Sequence, residues 1–208
     1  MGEILTYKRR VEQLLDYSAK LFFNQVAGGV IHIENEASLQ LHLSNILLQL
    51  GRLYEFSVDE HFNILLEKKI DLASPTIKSA NKKARVDIWI ELSKANEVQA
   101  TAAIELKYLK KTDNAAVTDA RYSVYKDLEN LEQYHVTSGN LTICEIVYSN
   151  NTNFLEKKGT KFSIADDTVI SSYDGDATYG KITLSNQYPP LKWDRYGEHN
   201  FLMITLCK

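Results

Sequence analysis

The stretch that most constrains the fold runs from Ala84 to Lys111. It begins ARVDIWIEL, passes through the polar SKANEVQ and resumes as ATAAIELKYLKK. Apolar and polar residues alternate with period two in both flanking parts, the pattern of strands with one buried face. Val86, Ile88, Ile90 and Leu92 are expected on one face of the first strand, with Arg85, Asp87, Trp89 and Glu91 on the other. In the second strand Ile104, Leu106 and Tyr108 share a face, and Ala103, Glu105 and Lys107 share the opposite one. The polar middle, with Lys94 and Asn96, suits a hairpin loop. An antiparallel pair folded about Asn96 brings Asp87 roughly opposite Glu105, with Cβ atoms about 5 Å apart on one face. Lys107 follows on the same side.

Facing carboxylates are destabilising across a sheet, and the apolar flanks here point to burial. A divalent cation removes the conflict. Mg²⁺ prefers oxygen ligands, takes one or two carboxylates from a protein, keeps several waters and often contacts a substrate phosphate. A nearby ammonium then orients or deprotonates an attacking water, or stabilises charge developing on phosphorus. The local physics therefore suggests a metal-dependent phosphodiester hydrolase. The plainer alternative is a charged, solvated hairpin face on which Lys107 simply pairs with Glu105 or Asp87.

Asp87 on one strand and Glu105-Leu106-Lys107 on the next resemble the active-site signature of the PD-(D/E)xK nuclease superfamily. Val86 stands where the name of the motif has proline, a position that varies within the superfamily. The resemblance covers about Asn35 to Tyr134. It implies a restriction-endonuclease-like fold and Mg²⁺-dependent hydrolysis of DNA, with Mn²⁺ as a substitute ion. Asp87, Glu105 and the main-chain carbonyl of Leu106 would hold the metal, and Lys107 would position the water. The further acid that such proteins take from an upstream helix would be Glu36, with Glu34 the competing choice. Members often dimerise to cut both strands, so a homodimer is among the assemblies implied.

The surrounding chain is read as an α/β (α+β) fold with a mixed central sheet flanked by helices, one domain over residues 1–208. An amphipathic helix is expected over 4–26, a core over about 35–148, and strands and loops over 149–208. Ile4, Val11, Leu14, Leu15, Leu21 and Phe22 give the first helix its 3.6 period. Its basic cluster Lys8, Arg9 and Arg10 is expected on the solvated face. Asn35 is the expected N-cap of a second helix, with Leu39, Leu43, Ile46, Leu47 and Leu50 as its stripe and Gly51 as its stop. Glu36 in its first turn also has a purely structural explanation, because acids are favoured there by the helix dipole.

Arg52 to Leu72 reads as one or two strands with a turn near Asp59-Glu60. The loop after it carries Lys78, Lys82 and Lys83 and leads into Arg85. With Lys110 and Lys111 after the second hairpin strand, these residues are the candidate contacts to a nucleic-acid backbone. Ala120, Val124, Leu128, Leu131 and Tyr134 mark a third helix, returning to a strand over Leu141 to Tyr148 that is parallel to the preceding one. Arg121, Tyr122 and Tyr125 fall off that apolar face. Gly180 to Leu184 and Asn200 to Leu206 read as a closing pair of strands. The segment Gln187 to Trp193 between them reads as a loop covering the sheet edge or stacking a base.

Two cysteines, Cys144 and Cys207, provide no disulfide framework and no zinc pattern, which suits a reducing, cytoplasmic setting. No apolar run approaches a membrane span, and no signal peptide is indicated. The net charge of −3 argues against a purely electrostatic DNA coat, but not against a nuclease with a local basic cleft. The histidines form no metal spacing, and no P-loop, dinucleotide fingerprint or nucleophile elbow occurs. Two other readings stand beside the nuclease. One is a catalytically inactive nucleic-acid-binding or protein-interaction module of the same fold. The other is a structural subunit whose hairpin acids pair with Lys107 and Arg85.

Overall fold

The computed structural model describes residues 5–79, 82–110, 116–134, 140–156 and 161–207. The described elements are α1 (Tyr7–Ala27), α2 (Glu36–Gly51), β1 (Glu60–Asp71), β2 (Lys83–Lys94), β3 (Glu97–Leu109), α3 (Ala116–Gln133), β4 (Leu141–Ser149), β5 (Trp193–Tyr196) and β6 (His199–Cys207), with single 3₁₀ turns at Arg52–Tyr54 and Thr152–Phe154. The strands form one six-stranded sheet in the order β1-β2-β3-β4-β6-β5. Only β3 and β4 run parallel, with α3 as their crossover; the other neighbours are antiparallel. This is a mixed sheet flanked by helices, the α+β architecture expected.

The hairpin turns at Ala95 and Asn96, both with positive φ, and closes on the pair Lys94–Glu97. Two left-handed residues in a two-residue loop give the turn whose twist matches that of the strands. A shift between Leu92 and Ser93 then moves the pairing by one residue, which sets Ile88 opposite Ile104 and makes Asp87 and Glu105 the next residues along the two strands.

Each sheet face has its own core. Ile88, Ile90, Leu92, Ala102, Ile104 and Leu106 pack against α1 and α2, through Leu14, Phe22, Leu39 and Leu43 among others. Trp89, Ala103, Ile143 and Val147 pack against α3 and against the long segment between β4 and β5, through Phe154, Phe162, Ile164 and Ile182. A helical stripe or a strand face that is apolar on one side must bury that side.

Val86 departs from the expected alternation. It joins Ala84, Ile70 and Leu72 in the α3-side core, although Ile88, Ile90 and Leu92 lie on the other face. The cause is an irregularity where β1 and β2 pass each other. Leu66 pairs with Ile88 and Lys68 with Val86, but Glu67 and Asp87 between them do not pair, and Glu67 has φ +54°. The register is the same on both sides of this gap, so the break changes the side that Val86 faces without inserting a residue. Asp87 sits at the break.

The region from Arg52 to Leu72 holds one strand of twelve residues after a 3₁₀ turn, within the one or two strands expected. Other expectations are corrected by packing. Gly180 to Leu184 forms no strand, only an Ile182–Tyr173 bridge, and the partner of β6 is β5, which starts at Trp193. Trp193 is buried, with Nε1 donating to Ile164 O at 2.6 Å, so it is not available to stack a base. Arg121, Tyr122 and Tyr125 are likewise buried, Arg121 donating to Asn153 O at 2.7 Å and Glu156 O at 3.2 Å. The off-stripe face of α3 is covered by residues 152–156 and 161–191, which local periodicity does not reveal. Gly51 is the last helical residue rather than a residue past the stop, and a Cβ there would meet the Phe62 ring at 2.1 Å.

Arg10 is a further correction. It is 3 % exposed, and its guanidinium forks onto Glu60, Nη1 to Oε2 at 2.7 Å and Nη2 to Oε1 at 3.0 Å. It also donates to Tyr54 O at 2.8 Å and lies over the Tyr7 and Phe56 rings. The pair ties α1 to the start of β1. Among the described residues, no helix is long and apolar enough to cross a membrane.

Candidate functional site

The break in the β1–β2 ladder, the far end of the hairpin and the inner face of α3 meet at one place. Asp87 Oδ2 accepts the Leu106 N–H at 2.7 Å, so the carboxylate lies against β3 at the acidic-x-Lys segment. Glu105 is 2 % exposed. Its Oε2 accepts from Lys78 Nζ at 2.9 Å, and its Oε1 accepts a short hydrogen bond from the Tyr134 hydroxyl. Burial, only partly offset by the Lys78 ammonium, pushes the Glu105 carboxyl up to about 8, with the Asp127 and Asp87 charges adding to the effect. Asp87 is also raised by burial, against the lowering effect of the Leu106 N–H.

Lys107 is placed differently from either sequence alternative. Its ammonium sits 2.7 Å from Asp127 Oδ2 and 3.8 Å from Glu36 Oε1, rather than on Glu105 or Asp87. Burial pulls its pKa down, but the Asp127 and Glu36 carboxylates outweigh this and hold it above the ordinary lysine range. It is therefore an ammonium at neutral pH. Asp127 also receives Lys78 Nζ at 2.6 Å, so one buried carboxylate on α3 holds both lysines.

The upstream helix reaches the same end of the sheet. Asn35 caps α2 by accepting the Ser38 N–H, and Ser38 answers by accepting the Asn35 N–H. This reciprocal cap fixes the first turn. Glu36 Oε1 then accepts the Tyr108 N–H at 3.2 Å, next to Lys107. One turn later Gln40 Nε2 donates to Asp87 O at 2.7 Å and to Glu67 Oε1 at 3.1 Å. The side chain of Glu36 is half exposed, at 52 %. Glu36→Gln is expected to lower divalent-ion affinity and cleavage together; unchanged values in an ion titration and a cleavage assay would return Glu36 to the role of helix-dipole acid.

The basic residues separate into distinct groups. Lys78 belongs to the acidic cluster, with its ammonium on Glu105 and Asp127. Lys82 and Lys83 are exposed. Arg85 is exposed and lies 3.6 Å from Glu67. Lys110 Nζ lies 5.3 Å from the centre of the Tyr108 ring. Lys111 falls outside the described residues.

Sequence reasoning missed Asp127, Tyr134 and Glu145. Glu145 pairs in register with Glu105 on the parallel strand, is fully buried, and has no hydrogen-bond partner for either oxygen among the described residues. Burial first, and then the neighbouring Asp127 charge, raise its carboxyl well above the ordinary range. A signal was present for two of these. Asp127 occupies an inward position of the α3 stripe, three residues after Val124 and four before Leu131. Glu145 interrupts the apolar run ICEIV. An acid at an apolar position of a helix or strand is expensive unless it is paired or neutral.

No family model, curated protein or solved structure matches this chain. The site must therefore be read from its own chemistry. It combines hard oxygen donors and two fixed ammoniums, and no group of three or more His, Cys, Asp or Glu among the described residues is arranged to hold an ion. Asp87 and Glu105 each keep lone pairs beyond those already engaged. That donor set suits Mg²⁺, which retains most of its waters.

Proposed function

We propose that this chain is a Mg²⁺-dependent deoxyribonuclease of the PD-(D/E)xK type with a restriction-endonuclease-like fold. The observation that carries the reading is the joint placement of Asp87 at the break in β2, Glu105 and Lys107 on neighbouring β3, and Glu36 at the start of a helix that reaches Lys107. Asp87, Glu105 and the Leu106 carbonyl would hold Mg²⁺, or Mn²⁺ in its place. The bound ion would supply a Lewis acid and a water of lowered pKa. Lys107, held as an ammonium by Asp127 and Glu36, serves as an electrostatic donor to a phosphate oxygen rather than as a general base. Exposed Lys82, Lys83, Arg85 and Lys110 would track the DNA backbone. Under this reading the chain acts on DNA in the cytoplasm, and cutting both strands of a duplex would call for two copies.

A specific observation favours the runner-up, a nucleic-acid-binding module without chemistry: both oxygens of Glu105 are already engaged, by Lys78 and Tyr134. One experiment separates the two. Plasmid and short single-stranded DNA are incubated with the protein, with and without Mg²⁺ or Mn²⁺. Ion-dependent cleavage is expected, and Asp87→Ala should abolish it while leaving DNA binding in place. Binding without cleavage by the wild type under any ion would establish the module instead.

A further inference from the structure

Lys78 belongs to no helix or strand, yet the chain that delivers it is bonded to α3 nearly residue by residue. The Ala73 N–H donates to Gln133 O at 2.8 Å, and Ser74 Oγ donates to Gln133 Oε1 at 2.8 Å. Thr76 Oγ1 bonds Asn130 Oδ1, and the Ile77 N–H donates to Glu129 Oε2 at 3.2 Å. The next residue places its ammonium 2.9 Å from Glu105 Oε2 and 2.6 Å from Asp127 Oδ1, and both acids have side chains only 2 % exposed. Lys78 itself keeps 35 % of its side chain in solvent. Beside them lies Glu145, fully buried, with neither oxygen partnered among the described residues.

Two buried carboxylates that converge on one point need positive charge there. Removing one partner of a buried ion pair leaves an uncompensated charge, and a hard divalent cation with its waters is the natural replacement. We propose that Lys78 stands in the place of a second divalent ion between Glu105 and Asp127, so that the site takes one ion rather than two. This rests on the nuclease reading for the first ion. It adds that the positive charge which a second ion would supply to the substrate phosphate comes instead from a fixed, partly solvent-facing ammonium.

The test is Mn²⁺ titration without DNA, by calorimetry and by electron paramagnetic resonance, on wild type, Lys78→Met and Lys78→Arg. The wild type is expected to bind one ion. Lys78→Met should bind two, and its melting temperature should rise more on Mn²⁺ addition than that of the wild type, because an ion that binds only the folded state stabilises it. Lys78→Arg should stay at one ion. Adding Asp127→Asn to Lys78→Met should remove the gained ion. Should Lys78→Met fold poorly, Lys78→Gln takes its place in the same titration. Equal Mn²⁺ stoichiometry in wild type and the charge-removed variant overturns the proposal, whatever the cleavage assay shows. An ion gained by Lys78→Met while the wild type binds none, and cuts no DNA, would uphold the lysine's role and defeat the metal-dependent nuclease reading.

Discussion

Lys107→Ala is expected to lower turnover by about 100-fold, the usual loss for one acid–base or electrostatic group, with only a small change in melting temperature. The turnover loss follows from the position of the ammonium. It lies on the same strand as Glu105, two residues on, and is held protonated by Asp127 and Glu36. The small stability change follows from Asp127, which keeps Lys78 at 2.6 Å when Lys107 is gone. Divalent-ion binding should persist, since Asp87 and Glu105 remain. A purely structural lysine would behave in the opposite way. Asp127 would lose a partner it needs, and the melting temperature would drop by a similar large amount with and without Mg²⁺. That result, together with a wild type that cuts no DNA, would end the catalytic assignment.

Arg10→Ala should destabilise the fold by about 3–5 kcal/mol, the cost of stranding one member of a buried pair. In a chain of this size that corresponds to a fall in melting temperature of roughly 10 °C. Glu60 would be left buried, with only the Tyr7 hydroxyl at 2.7 Å and the Phe56 N–H at 2.7 Å to satisfy it. The same pair sets an acid limit on stability. The Arg10 guanidinium holds the Glu60 carboxyl down to about 2 against the opposing effect of burial, with Tyr7 and Phe56 helping. A carboxyl whose folded pKa lies below its unfolded value stabilises the fold above the unfolded value, and that contribution is lost as pH falls through the folded one. Denaturant titrations of wild type should therefore show about 3 kcal/mol disappearing between about pH 4.5 and pH 2. Arg10→Ala should lose most of that dependence. A Glu60→Gln variant whose stability still tracks pH like the wild type would show that other carboxylates govern acid unfolding.

The local elements were legible because short-range physics determines them. The Asn35 cap, the stripes of α1 and α2, the positive-φ turn at Asn96 and the period-two runs of β2 and β3 are each decided by neighbours within a few residues. They place the hairpin turn, but a loop closing on Lys94–Glu97 would by itself set Asp87 opposite Ile104; the extra β3 residue at the Leu92–Ser93 shift brings Asp87 level with Glu105. The crossover from β3 through α3 to β4 is also implied, since parallel neighbours need a connection of that length. By itself, then, the sequence determined the helices and the hairpin, but not the one-residue shift that aligns the two acids. It did not determine what those acids touch. The side change at Glu67 and Asp87 moved Val86 to the other core, and no local pattern marks that break. Covering of α3 by residues 152–156 and 161–191 buried Arg121 and Tyr122, which fall off the apolar stripe of the helix. Lys78 and Asp127 lie 49 residues apart and meet only because the β1–β2 loop packs along α3. Lys107 likewise found its partner on α3 rather than on its own hairpin. Tertiary structure decided these ion pairs because they join elements distant in the chain. In a buried site, the position of a charge is set by whichever opposite charge packing brings within reach, and sequence spacing does not carry that distance.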